Sequence, residues 1–467
     1  MFLENVRTSL PRSDRGWLAQ IQNHFSQQVP ADGFYPLRFA VTGFDGGRAQ
    51  LETTAVRFAA GEPYTACFGE IEILTPRILP RRAGLFAVVQ VIPTGIGCAI
   101  GGFAGDACPA TNLLAAAADC VVTHPNAVNA SELNEMGDNV LYVEGKLLDD
   151  FLLGHIALEA PRGKNRVGTV VDACAEEYVD VVVKTVNAAT ASAGLDCDTW
   201  IRMRGALGAS ASWSAAGCAT GVVQRPDLLI ESVQQLLAEG CDAVGISSVI
   251  HGVTRDAFLD HQQKGRPNPS GGVEAIITHL ISKVFRVPSA HAPLPYYTEH
   301  KRDCAIDPRS MAEFISTPHY FSVLKGLARA PRPVPIQAGS TPLATCLCLS
   351  DVGAVVMPAS ALGGVPALAA ELNHIPIIAV ADNRTVLAVD QEAMMLEHVL
   401  EAKSYPEAAG LILALRHGIS LRSLRRPLAT ASEIRRPLEF ARDKSRKIEP
   451  QREPTGNLWD RLRKSSS

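Results

Sequence analysis

The feature that most constrains this chain is a repeated alternation. Short, uninterrupted apolar runs end in Gly, Pro or a polar residue and give way to stretches of helical character. Leu85–Ile92 is the first such run, followed by Cys120–Thr123, Val167–Asp172, Asp242–Ser247, Gly353–Met357 and Ile375–Val380. Helices are predicted over Pro109–Ala118, Glu177–Ala193, Pro226–Glu239, Gly272–Phe285, Pro342–Ser350 and Val365–Asn373. A strand that is apolar on both sides must be covered on both sides. Strand–helix alternation achieves this with a mainly parallel sheet.

The alternating region, about 340 residues long, exceeds what one lobe holds. The expected fold class is therefore α/β, with two Rossmann-like lobes of mainly parallel sheet over residues 83–225 and 226–420. Residues 1–82 read differently. A helix is predicted near Arg15–Gln27, and Phe34–Phe58 reads strand, Asp45-Gly46-Gly47 turn, strand. A two-strand signal around such a turn is a hairpin, so a small α+β N-terminal domain is expected. Residues 421–467 are polar, proline-spaced and locally basic, the pattern of a solvated, partly disordered tail.

Composition narrows the function classes. Formal net charge is −4 over 467 residues, with 47% hydrophobic and 20% charged residues. That is a globular balance without the basic field nucleic acid requires. No run approaches the roughly 18 uncharged apolar residues of a membrane span, and the first residues lack a signal-peptide pattern. Eleven cysteines with no CxxC pair suit reduced thiols, so a cytoplasmic location is expected. There is no HExxH or CxxC motif, so no metal is expected. A homo-oligomer is left open.

The stretch Pro93–Pro109 reads PTGIGCAIGGFAGDACP and follows the first apolar run. A strand feeding a glycine-rich loop and then a helix is a natural anion site, because glycines let backbone N–H groups approach a ligand. Gly95, Gly97 and Gly101 give G-x-G-x-x-x-G, one residue longer than the dinucleotide fingerprint. The next strand ends in His124 rather than an acidic ribose ligand, and Asp119 lies at its other end. Both departures argue against NAD. No cofactor is called for, although a nucleotide or sugar nucleotide is left open. Thr94, Gly95, Gly97, Gly101 and Gly102 are the ligand-binding candidates in this loop.

Polar residues recur at the other strand ends, where open parallel sheets bind ligands. These are His124, Asn126 and Asn129; Ser247, Ser248 and His251; Ser289, His291, Tyr296 and Tyr297; Ser360, Gly363 and Gly364; and Asp382, Asn383 and Arg384. His124 and His291 are the candidates for proton transfer, since imidazole titrates near neutrality and prolines stiffen the backbone beside each. Asp106, within the glycine loop, is the candidate to orient a histidine. Arg384 and Lys146 are candidates for an anionic group. Ser210, Ser212 and Ser214 lie in a glycine-flanked stretch that reads as a flexible loop or lid.

The runs VIPTGIGCAIGGFAGDACP, VVTHPNAVNASELN, LYVEGKLLDDF, GGVEAIITHLISKVFRVPSAHAP, VMPASALGGVPALA and VADNRTVLAVD resemble the family catalogued as domain of unknown function 3326. The resemblance spans residues 85–420 and implies no activity. Relative to the family pattern, Ser289 replaces Cys, Asp382 replaces Glu and Arg384 replaces Lys. A shorter likeness joins Asp351–Asn383, with Glu371 on its helix, to the nucleotide-sugar end of two-lobed glycosyltransferases and epimerases. The sequence as a whole predicts an enzyme binding a small anionic metabolite in an inter-lobe cleft. Histidine acid–base chemistry of the group-transfer, lyase or hydrolase kind is expected. A sugar-nucleotide transferase or epimerase and a non-catalytic ligand-binding or scaffold protein are the alternatives.

Overall fold

The uninterrupted apolar runs are the strands of two wholly parallel sheets. In the first, the spatial order is Val399–Ala402, Ile377–Val380, Val352–Pro358, Ala87–Gln90, Cys120–Thr123, Val140–Tyr142. Numbered along the chain and read from the Val140–Tyr142 edge, this is 3-2-1-4-5-6, the doubly wound dinucleotide-fold order. The second runs Trp200–Arg202, Val167–Val171, Ala243–Ser248, Ser289–Pro293, or 2-1-3-4. The protein is thus an α/β chain with Rossmann-like parallel sheets. The computed structural model describes residues 1–12, 16–58, 68, 77, 84–129, 136–294, 307–311, 319–337, 345–428, 430 and 431.

Side-chain alternation explains why these runs are apolar throughout. Val88 and Val356 pack into a core with Leu114 of helix Cys108–Ala117 and Ile412 of helix Tyr405–Arg416. Their neighbours Val89 and Val355 pack the other way, against Ile21 and Phe25 of helix Trp17–Asp32, Leu147 of helix Gly145–Leu152 and Leu368 of helix Val365–Leu372. Each face of the sheet is covered, so neither tolerates a polar residue except at strand ends.

Chain order and sheet membership do not coincide. The first sheet takes its strands from residues 87–142 and 352–402, and the second from residues 167–293 between them. The second sheet is therefore inserted between the two halves of the first. The N-terminal strands Phe2–Pro11, Phe34–Asp45 and Arg48–Arg57 join Ala209–Trp213, Ala219–Val223 and Ile250–His251 in one mixed sheet. The expected hairpin forms at Asp45–Arg48, with Gly46 and Gly47 at φ +53° and +77°, a conformation glycine adopts without strain. Residues Met1–Leu421 form one compact unit.

Two local expectations are corrected. The Ser210–Ser214 stretch is not a loop or lid: Ala209–Trp213 is a strand paired along its length with Ala219–Val223. Ser214 accepts the N–H groups of Ala216 and Cys218 in the turn that follows. Within Pro342–Ser350, the described part is not α-helical and leads into a short 3-10 turn at Leu349–Asp351, while residues 342–344 lie outside the described residues. Tyr296, Tyr297 and residues 432–467 of the tail also lie outside them.

Candidate functional site

The switch point of the first sheet lies between Ala87–Gln90 and Val352–Pro358, whose onward connections run in opposite directions. Ligands of doubly wound sheets bind outside the strand carboxyl ends at such a point. A cavity of about 210 Å³ opens there. It is lined by residues just beyond Gln90, Thr123 and Tyr142 of the first sheet and by Ala290–Pro293 of the second. His124 and His291, far apart in sequence, line this same space.

The glycine loop forms one wall through Thr94, Gly95, Gly97, Gly101 and Gly102. Its shape is held by the protein. Gly101 has φ +87°, and a Cβ there would stand 2.4 Å from Ile92 Cγ2. A Cβ on Gly102 would meet the Cys98 carbonyl oxygen at 2.2 Å. Asn126 lines the cavity and donates to the Gly101 carbonyl at 2.9 Å, so it fastens the loop. Asn129 also lines the cavity, with its amide on the Tyr142 hydroxyl at 2.5 Å.

The imidazoles divide by which nitrogen the fold has occupied. Ile92 N–H donates to His124 Nε2 at 2.9 Å, so that nitrogen is an acceptor and Nδ1 carries the proton. Burial pushes this ring's pKa down to about 4, keeping it a neutral donor. His261 is the complement. Its Nδ1 lies 2.7 Å from the Arg266 carbonyl oxygen and must donate, which leaves Nε2 a lone pair. Burial takes it too down to about 4, with Phe103 stacked 4.2 Å away.

Two histidine–carboxylate pairs complete the wall. His279 Nδ1 sits 2.5 Å from Glu144 Oε1, and Glu144 Oε2 accepts Lys146 N–H at 2.8 Å as the cap of helix Gly145–Leu152. Burial pushes the Glu144 carboxyl up, but the His279 ring and the hydrogen bonds outweigh it and hold it below the usual glutamate range. The ring thus meets Glu144 on its Nδ1 side as a close charge contact without hydrogen-bond alignment, and Nε2 is the nitrogen on its far side. His291 Nδ1 lies 3.3 Å from Glu274 Oε2, and its Nε2 2.9 Å from Ser248 Oγ. This serine–histidine–glutamate row has triad connectivity, yet Ser248 is fully buried and does not line the cavity. Both His291 nitrogens are taken, so its geometry positions Glu274 rather than presenting a free base.

Helix Gly271–Phe285 carries Glu274, Thr278 and His279 into the cavity. The sequence reading missed Glu144, His261, Glu274 and His279. The available signal was an otherwise apolar helix with polar residues four apart, Glu274, Thr278 and Ser282, on one face.

Several expected site residues stand elsewhere. Asn383 is fully buried: its Oδ1 accepts Ile100 N–H at 2.9 Å, and its amide donates to the Ile100 carbonyl and the Tyr405 hydroxyl. With the Arg384 carbonyl accepting Ala99 N–H at 2.8 Å, this segment staples the back of the glycine loop. Asp382 and the Arg384 side chain are exposed and line neither large cavity. Ser360 bonds Thr385 at 2.9 Å, while Gly363 and Gly364 line a second cavity. Lys146 is buried and paired with Asp150. Glu371 binds His398 and its backbone where strand Ile377–Val380 begins, away from the site edge.

Asp106 does not orient a histidine. It lies behind the loop near Arg309, and burial raises its carboxyl to about 7 against Gly101 and Phe103 N–H groups and the Arg309 charge. A carboxyl raised in the fold favours its protonated form there. Its contribution is fully present below the unfolded value near 3.8 and is lost as pH rises through about 7. Asp106→Asn is therefore expected to be more stable than the parent at pH 8, by up to about 4 kcal/mol, with the gap closing at pH 4. Urea unfolding at both pH values measures this, and a pH-independent gap would contradict it.

These features define a doubly wound α/β protein with a histidine- and glutamate-lined cavity at its switch point. The chain belongs to the family described as "Protein of unknown function (DUF3326)", whose model matches residues 87–425. It is 36% identical over 345 residues to a protein of Synechococcus sp. named an uncharacterized lipoprotein, covering 72% of this chain and 92% of that one. No solved structure matches.

Proposed function

We propose that the protein is a metabolic enzyme that binds a small anionic metabolite in the switch-point cavity and transforms it by histidine-based acid–base chemistry. The observation that carries this reading is one cavity with a fixed neutral donor at His124, a lone pair at His261 and two carboxylate-held histidines. Such groups have no packing role that apolar residues would not fill better. His279, oriented by Glu144, is the base or acid facing the ligand. Glu274, steadied by His291 and by Ser270 Oγ at 2.8 Å, is its counterpart. His124 Nδ1–H donates to the oxygen on which charge develops.

No lysine or arginine is among the described residues lining this cavity. A ligand's negative charge then meets glycine-loop N–H groups, imidazole donors and the first turns of helices Gly271–Phe285 and Tyr320–Arg329. That favours a carboxylate or monophosphate over a pyrophosphate. The reading includes a cytoplasmic location. Nine free cysteines among the described residues suit a reducing compartment. The name of the Synechococcus relative makes the membrane fraction the rival location, and cell fractionation decides between them.

Thermal-shift screening with carboxylates, phosphate monoesters and sugar nucleotides tests the ligand class. Stabilisation by carboxylates or monoesters is expected. Stabilisation by sugar nucleotides alone would replace this reading. A sharper check is Gly145→Ala. A Cβ there would stand 2.8 Å from His279 Cε1, in an ordinary helical position where alanine is otherwise favoured. The variant is expected to fold with a near-parental melting point and to lose turnover of the screened metabolite at least tenfold. Undiminished turnover would remove His279 from the chemistry.

A further inference from the structure

A second cavity of about 210 Å³ adjoins the first, sharing with it Pro93, Thr94, His124, Gly145, Ala275 and His279. Its chemistry differs. Arg38, absent from the first cavity's lining, opens onto it, as do Glu52 and Asp149. Arg38 Nε donates to Thr54 Oγ1 at 3.2 Å, and among the described residues its two terminal nitrogens have no partner. Nor does any ion pair join Arg38 to Glu52 or Asp149 among those residues, although all three face one space. All three are half-buried, and opposite charges drawn partly out of water normally close on one another or meet a ligand that bridges them. The rest of the wall includes Val41, Ile96, Leu148, Met357 and Leu387.

We propose that this second cavity binds a small zwitterion of the α-amino-acid type, with its carboxylate on Arg38, its ammonium on Glu52 and an apolar side chain against Val41, Leu148 and Met357. Arg38 offers two parallel N–H groups, the fork that fits a carboxylate. Val365, Pro366 and Gly364 bring the start of helix Val365–Leu372 to the same cavity, with no side chain capping it. That start reinforces the anionic end of the ligand. Glu52 Oε1 accepts the Ala216 N–H at 3.3 Å, which anchors this carboxylate at the cavity wall as the acceptor for the ammonium. The inference concerns binding alone and does not depend on the acid–base reading of the first cavity.

Calorimetry with L-norleucine, hexanoate and pentylamine tests it, because these three differ only in which charged group is present. L-Norleucine is expected to bind, and the other two to bind at least tenfold more weakly. Arg38→Gln and Glu52→Gln are each expected to weaken L-norleucine at least tenfold, with Arg38→Lys recovering part of the loss. Hexanoate binding as tightly as L-norleucine would make this a simple anion site and overturn the proposal. Equal binding of pentylamine, or no heat from any of the three, would overturn it as well. Should either variant fail to fold, the ligand series on the parent protein decides. Turnover is not needed, so failure of the catalytic reading leaves this result interpretable.

Discussion

Glu144→Ala is expected to destabilise the fold by about 3–5 kcal/mol, the largest single-residue loss in this site. The carboxylate is 2% exposed and meets four groups: His279, Thr278 Oγ1 at 3.0 Å, and the Lys146 and Leu147 N–H groups. Truncation leaves a buried ring and a buried hydroxyl without their partner, and breaking a buried pair on one side costs about that much. Loss of the helix cap adds about 1 kcal/mol. Glu144→Gln keeps an oxygen for the helix start and should lose less. Because the fold holds this carboxyl below its ordinary value, its stabilisation is present above the ordinary glutamate range. It is lost as pH falls through the folded value. Denaturant titration at pH 7 and pH 3 should therefore show the parent–alanine gap shrink in acid. A gap below 1 kcal/mol at pH 7 would mean the carboxylate holds nothing.

His279→Gln should leave the melting point close to parental and lower turnover by about 10²- to 10⁴-fold, the range for removing a positioned acid or base. Glu144 keeps both backbone donors and the Thr278 hydroxyl, so the fold is not left with a bare charge. Glutamine offers an amide of similar reach and no titrating nitrogen. The pH–rate profile separates roles: loss of one limb marks a proton carrier, whereas an unchanged profile at reduced rate marks a positioning group. Wild-type turnover by the variant would sink the acid–base assignment.

Much of this architecture was legible in the chain. Both-sided apolar runs predicted parallel strands, and Asp45-Gly46-Gly47 predicted its hairpin, because backbone geometry restricts which residues serve there. The meeting of His124 and His291 followed from strand-end reasoning. What stayed hidden was relational. Nothing local says that Val352–Pro358 pairs with Ala87–Gln90 across more than half the chain. Nor does a spacing rule reveal that Glu144, which caps one helix, meets His279 on another. Asn383 illustrates the reverse error: Asn, Asp and Arg after a strand suit a ligand site and a loop staple equally, and only the Ile100 contacts decide.

The insertion of one sheet into another has a consequence for biogenesis. Ala87–Gln90 leaves the ribosome long before Val352–Pro358, its neighbour on one side, so its apolar edge stays bare while some 260 residues are translated. Fragments that stop short of that partner would display an open, aggregation-prone strand. Premature termination after the inserted sheet should therefore yield insoluble product, and helpers that shield nascent chains should matter more here than for a sheet assembled in the order it is made.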